Sequence, residues 1–183
     1  MRIVGGSARG RNLQAPKGDR VTRPTADRVR ETLFNVLGQA LDPIEVLDLY
    51  AGTGALSLEA LSRGAARATM VERDREALRF IGLNVKALGF TEQVRVMATP
   101  VERALRTLRA EGRRFPLVFA DPPYAEARLT DTLTQLADGL LAEDALVVFE
   151  HARSEEAPLQ LARFVREDQR AFGDTRISLY RFA

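Results

Sequence analysis

The chain has 183 residues, 45% of them apolar and 28% charged, a balance that fits one globular domain able to bury its own core. It contains no cysteine and one histidine, His151, which excludes disulfide scaffolds, thiolate metal centres, cysteine nucleophiles and paired-histidine chemistry. The formal net charge of +2 is carried almost wholly by arginine, since Lys17 and Lys86 are the only lysines among 27 basic residues.

That charge is uneven along the chain. Residues 1–30 hold eight basic residues against Asp19 and Asp27, a net +6, which leaves 19 basic and 23 acidic residues, a net −4, for the rest. A basic arm on a slightly acidic body points to a polyanionic partner for the arm. Met1–Val4 and Arg9–Leu13 read as a small hairpin around a Gly5-Gly6-Ser7 turn. Pro16, Gly18 and Pro24 then mark extended or loop structure. Thr25 is placed to cap a helix whose apolar face is Val29, Leu33, Val36 and Leu37, closed by Asp42-Pro43.

From residue 44 the pattern alternates. Strands are expected at 45–50, 68–72, 94–98, 117–121 and 145–150, with helices near 55–63, 74–88, 100–111 and 126–138. Gly64, Gly89, Gly112 and Gly139 follow the four helices, where a left-handed residue ends a helix. Segments 162–168 and 176–182, joined by Gly173-Asp174, have no helix between them and are expected to pair as an antiparallel hairpin. Repeated β-α units imply an α/β fold with a mostly parallel, doubly wound sheet, and a ligand at the carboxyl ends of its strands. No run approaches the ~20 apolar residues of a membrane span, and the start of the chain lacks a signal peptide's apolar stretch, so the expected compartment is the cytoplasm.

The most informative stretch is Val46-Leu47-Asp48-Leu49-Tyr50-Ala51-Gly52-Thr53-Gly54-Ala55, a buried strand entering a glycine turn and a helix. A dinucleotide loop would carry glycine where Ser57 stands, and a carboxylate at Asp48 would oppose a pyrophosphate. Glu72 ends the second strand, where an acid accepts hydrogen bonds from ribose hydroxyls. The loop therefore suits a ligand with a ribose, positive charge and no phosphate. S-adenosylmethionine meets all three conditions.

Phe119-Ala120-Asp121-Pro122-Pro123-Tyr124 follows the fourth strand. Two prolines end the ladder and free the carbonyl of Pro122, Asp121 adds a carboxylate acceptor, and Tyr124 offers a flat ring for stacking. Two acceptors and a stacking face suit a planar exocyclic amine. Its lone pair is conjugated, and accepting its N–H bonds favours a tetrahedral nitrogen aimed at a methyl group.

The order of these motifs resembles class I, S-adenosylmethionine-dependent amino-methyltransferases with a Rossmann-like core. Thr22-Arg23-Pro24-Thr25-Ala26-Asp27-Arg28-Val29-Arg30-Glu31-Thr32-Leu33-Phe34-Asn35-Val36-Leu37, with the opening Arg2-Ile3-Val4-Gly5-Gly6 and Arg9-Gly10-Arg11, is similar to the RsmD family over essentially the whole chain. That family methylates the N2 of a guanine in 16S ribosomal RNA. The resemblance implies that Ala51, Gly52, Thr53, Gly54 and Ala55 wrap the methionine part of the cofactor, with Asp48 nearby. Glu72 would hold the ribose, Arg73 would lie beside the adenine and the backbone at Val101 would meet it. Arg23, Pro24 and Thr25 would close over the amino-acid end. Asp121, Pro122, Pro123 and Tyr124 would hold the guanine amine, with Asp121 also bordering the cofactor. Arg9, Arg11, Lys17, Arg20 and Arg23 would contact RNA phosphates.

The organisation expected is one domain over 1–183, made of a basic extension (1–24), an N-terminal helix (25–41) and a catalytic core (44–183). No metal and no membrane are expected, the partner is 16S ribosomal RNA in a small-subunit particle, and the simplest oligomeric state is a monomer. The alternatives are methylation of adenine N6 or a protein glutamine, or a catalytically silent RNA-binding assembly factor. His151, Arg103, Arg106 and Arg109 are read as structural or solvent-facing, and Phe34, Phe80 and Phe119 as core.

Overall fold

The computed structural model describes residues 1–16, 23–123 and 129–183, and within the first helix it describes side chains from residue 27 onward. The expected sites Lys17, Arg20 and Tyr124 therefore lie outside the described residues, as do the side chains of Arg23, Pro24 and Thr25. The chain divides into two compact units, Met1–Thr99 and Pro100–Ala183.

In the first unit, β1 (Glu45–Leu49), β2 (Arg67–Glu72) and β3 (Val94–Ala98) form a parallel ladder in the order β3-β2-β1. Val46–Leu49 and Ala68–Val71 are buried without alternation, as strands covered on both faces must be. Helix α1 spans Arg23–Leu37, α2 Ala55–Ser62 and α3 Arg75–Leu88. The first begins two residues before Thr25, so Thr25 lies in its first turn and is not the cap. Pro24 is well suited there, because the first four helical N–H groups have no intrahelical partner to lose. Asp74 caps α3 by accepting the Ala77 N–H at 2.8 Å. Gly89, at φ 77°, ends it.

Residues 1–14 are not a free arm. An Arg2–Asn12 antiparallel bridge and the Ile3 N–H to Arg11 carbonyl bond at 2.9 Å close the expected hairpin, and Ile3 and Leu13 are buried. The hairpin lies against the end of α2. Ser7 donates its N–H to the Ser62 carbonyl and Ala8 donates to Ser62 Oγ. Gly6 has φ +73°, and a Cβ there would sit 1.8 Å from the Ser62 carbonyl oxygen, so this contact admits no side chain. Beneath it the fully buried Glu59 accepts from Arg63 Nε at 2.8 Å and from the Val4 N–H at 2.9 Å, with Arg30 Nε 3.9 Å away.

In the second unit, β4 (Phe115–Ala120) pairs parallel with β5 (Leu141–Ala152), followed by antiparallel β8 (Thr175–Phe182), β7 (Phe164–Phe172) and β6 (Gln160–Leu161). Helices α4 (Val101–Ala110) and α5 (Leu129–Ala137) bury their apolar stripes. The tail is an antiparallel hairpin as expected, lengthened by a third short strand. Gly173 turns it at φ 62°. Gly64, Gly112 and Gly139 also adopt positive φ.

Candidate functional site

The glycine turn follows the carboxyl end of β1. Tyr50 adopts φ 63°, Gly52 φ 56° and Gly54 φ 79°. A non-glycine residue at positive φ is a strained position that the surroundings must enforce. A Cβ on Gly52 would meet nothing within 4 Å, so the turn presents bare backbone to open space there. A Cβ on Gly54 would lie 3.2 Å from Met70 Sδ, so that glycine serves packing.

Two carboxylates hold the turn. Asp48 is buried and accepts from Ser57 Oγ at 2.7 Å. The residue that departs from the dinucleotide fingerprint is thus a partner of the strand acid. Glu72, half-buried at the end of β2, accepts the Gly52 N–H on Oε2 at 2.8 Å. Its Oε1 accepts the N–H groups of Arg73 and Asp74 at 2.7 and 2.9 Å. A carboxylate offers about four lone-pair sites. Glu72 therefore keeps one for a ligand hydroxyl, and a second hydroxyl must displace one of the three N–H groups. Ala51 continues the ladder through its N–H to the Val71 carbonyl at 3.0 Å, and Thr53 sits at the apex of the turn. The structure thus brings Asp48, Ala51, Gly52, Thr53, Gly54, Ala55 and Glu72 together in the first unit.

Asn84 also reaches this turn. It interrupts the apolar face of α3 between Ile81 and Val85 and is 1% exposed. Its Nδ2 donates to the Thr53 carbonyl and to the Gln14 carbonyl, both at 3.0 Å, and its Oδ1 accepts the Gln14 N–H at 2.7 Å. The signal in the sequence is an amide inside the stripe Phe80, Ile81, Val85.

In the second unit Asp121 is the residue after β4. Ala120 pairs with Phe149 in the parallel ladder, so Asp121, just past the tip of β4, stands next in register to Glu150, which lies within β5. Neither carboxyl has a hydrogen bond among the described residues. Asp121 reaches solvent, yet the protein crowding it disfavours its charge and raises it to about 6. Burial, and then the charge of Asp121, push Glu150 up to about 8. Near pH 7 the two carboxyls accordingly hold one proton between them, which leaves the pair one ionised acceptor. Pro122 is buried and Pro123 exposed. Glu150 was missed from sequence; its signal is an acid directly after the apolar run 145–149, matching Asp121 after 115–120. Val101, the first residue of α4, is buried.

His151 is fully buried, so the solvent-facing option for it is corrected. Its Nδ1 donates to the Ala152 carbonyl at 3.0 Å and its Nε2 accepts from Ser178 Oγ at 2.8 Å. Desolvation lowers its pKa, in keeping with a neutral ring. Arg103 and Arg106 are exposed, whereas Arg109 binds the Asp138 and Gln135 carbonyls. Phe34, Phe80 and Phe119 are core residues as expected. Of the basic hairpin residues, Arg9 and Arg11 are exposed, and Arg11 Nη2 donates to the Ala87 carbonyl.

A family model described as conserved hypothetical protein 95 matches residues 1–181. Ribosomal RNA small subunit methyltransferase D of Escherichia coli (strain K12) is 38% identical over 181 residues, which cover 98% of this chain and 89% of that protein. The proposed rRNA methyltransferase YlbH of Bacillus subtilis (strain 168) is 38% identical over 182 residues, 99% of this chain and 98% of its own. The solved structure of a proposed methyltransferase, yhhF of Escherichia coli, matches with a TM-score of 0.85 at 38% identity, over 100% of this chain and 97% of that one. The mixed α/β fold with its antiparallel C-terminal hairpin is therefore the Rossmann-like methyltransferase fold. The chain belongs to the RsmD family of S-adenosylmethionine-dependent methyltransferases of small-subunit ribosomal RNA.

Proposed function

We propose that this chain methylates the exocyclic N2 amine of a guanine in 16S ribosomal RNA, by direct in-line transfer to a base drawn out of its stack. The observation that carries the reading is Asp121, a carboxyl with no hydrogen bond among the described residues, at a strand tip continued by Pro122 and Pro123.

The glycine turn and Glu72 in the first unit fit the cofactor. Gly52 offers bare backbone over open space and Glu72 keeps a lone pair for a hydroxyl. Asp48 supplies negative charge beneath the turn, which favours a cationic ligand over a phosphate. When bound, S-adenosylmethionine supplies a methyl group made electrophilic by its sulfonium. Ala51, Gly52, Thr53, Gly54 and Ala55 hold its methionine part, Glu72 its ribose, and Arg73 and Val101 its adenine. Arg23, Pro24 and Thr25 close over the amino-acid end.

The second unit fits the acceptor. Asp121 and the Pro122 carbonyl accept the two N–H bonds of the amine, Pro123 stiffens the segment and Tyr124 stacks on the base. The nitrogen becomes acidic only as it gains the methyl group, so Asp121 takes a proton at that stage and no stronger base is needed. Extruding a base costs a few kcal/mol, which phosphate contacts from Arg9, Arg11, Lys17, Arg20 and Arg23 offset. The substrate is a small-subunit particle in the cytoplasm, and the enzyme acts as a monomer.

Transfer from methyl-labelled S-adenosylmethionine to unmodified ribosomal RNA, free and in assembled small subunits, tests this reading. Asp121→Ala is expected to lower transfer at least about 100-fold, the scale of removing one preorganised transition-state interaction. S-adenosylhomocysteine affinity should stay nearly unchanged. Collapse of that affinity would make Asp121 a structural residue instead.

A further inference from the structure

We infer that Asn84 is a positioning residue that couples polyanion docking on the N-terminal hairpin to cofactor binding at the glycine turn. The inference rests on the two binding assignments just made, and adds a link between them that neither requires.

The link is one rigid group shared by two segments. The Asn84 amide is planar and spends both of its N–H donors on different pieces of chain: one on the Gln14 carbonyl and one on the Thr53 carbonyl, each at 3.0 Å. Its Oδ1 accepts the Gln14 N–H at 2.7 Å, so the amide pairs with Gln14 as a neighbouring strand would. Gln14 directly extends the hairpin bearing Arg9 and Arg11, and Arg11 is itself anchored to the Ala87 carbonyl on the same helix. Thr53 is flanked by Gly52 and Gly54, both left-handed, and Gly52 is the residue whose N–H reaches Glu72.

The amide is 1% exposed, so water cannot replace a missing partner. A shift of the Thr53 carbonyl must rotate the amide or break its bond. Rotation tilts the two bonds to Gln14, and displacement of Gln14 is felt by Thr53 in the same way. Phosphate contacts that fix the hairpin thereby fix the turn, and a cofactor seated on the turn holds the hairpin. Linkage makes the effect reciprocal.

Isothermal titration of the full chain tests this with S-adenosylhomocysteine, alone and with a saturating transcript of unmodified small-subunit ribosomal RNA. For the unaltered protein, RNA should tighten S-adenosylhomocysteine binding at least about 5-fold, the lower end of ordinary coupling between sites. S-adenosylhomocysteine should tighten RNA binding by the same factor. In Asn84→Ala the factor should fall toward one while each ligand still binds alone. Gln14→Pro removes the N–H that Asn84 Oδ1 accepts, leaves α3 untouched, and should lower the factor from the hairpin side. A merely structural role would lower the melting temperature of either variant and leave the factor as it was. A factor of one in the unaltered protein, or an unchanged factor in both variants, would overturn the inference. Failure of S-adenosylhomocysteine or RNA to bind the unaltered protein by itself would instead sink the binding assignments, and this inference with them.

Discussion

Asp121 and Glu150 carry the plainest pH consequences. Asp121 must be ionised to accept from an amine, and crowding raises it to about 6. The transfer rate should therefore fall as pH drops through 6, roughly tenfold by pH 5. A pH–rate profile without that limb would remove Asp121 from the acceptor role. Glu150→Gln should leave a limb in place, because desolvation by the surrounding protein, which the variant keeps, is what raises Asp121. The stability effect has a definite sign. Glu150 holds its proton up to about pH 8 when folded and releases it near 4.5 when unfolded. Its stabilising contribution is thus complete below 4.5 and is lost as pH rises through 8. Thermal melts of Glu150→Gln should match the unaltered protein near pH 4 and exceed it above pH 8. A melting difference independent of pH would contradict the assignment. The placing of glycines 52 and 54, Glu72 and Asp121 at strand ends was readable from spacing alone, because a strand-glycine-helix turn and a proline-stopped strand leave strong local marks. Glu150 and Asn84 were not, since their meaning comes from the ladder beside β4 and from chain far away in sequence.

The N-terminal hairpin is held by an ionic cluster inside the fold. Glu59 sits on an eight-residue helix that is buried over most of its surface, from Ser57 to Ser62. Its carboxylate serves Arg63, the Val4 N–H and, more distantly, Arg30. Glu59→Ala would leave the buried Arg63 guanidinium uncompensated, while Arg30 keeps Asp27 at 2.7 Å, and breaking a buried pair in this way costs about 3–5 kcal/mol. For a chain of this size each kcal/mol shifts the melting temperature by about 2–4 °C. A drop near ~10 °C is therefore the expected result of a thermal melt, and a drop under about 3 °C would show that the cluster is not holding the hairpin. The core α/β alternation was legible because helix and strand periods differ and a glycine follows each helix. The docking of residues 1–14 was not legible. A string of arginines and glycines looks solvated until Ile3, Leu13 and the glycine packed on Ser62 are seen in place.

At the scale of the whole chain, the +6 of residues 1–30 against the −4 of the remainder is the feature on which the proposed RNA contact rests. Because the hairpin is packed, deleting residues 1–20 would strip buried Ile3 and Leu13 together with the charges. Arg9→Gln with Arg11→Gln is the cleaner change. Removing one arginine–phosphate pair should reduce the slope of log affinity against log salt by about 0.7 to 0.9, and an unchanged slope would move RNA docking away from the hairpin. The division into two compact units was not foreseen, since composition is even across residues 99–100 and no linker marks the boundary. Of the residues proposed for the cofactor, all but Val101 lie in the first unit, and Asp121 with its prolines lies in the second. The most direct test of the central claim is to digest RNA labelled by this enzyme from methyl-labelled S-adenosylmethionine and identify the nucleoside that carries the label. N2-methylguanosine is the predicted product; N6-methyladenosine, or no label in any nucleoside while the cofactor still binds, would contradict it.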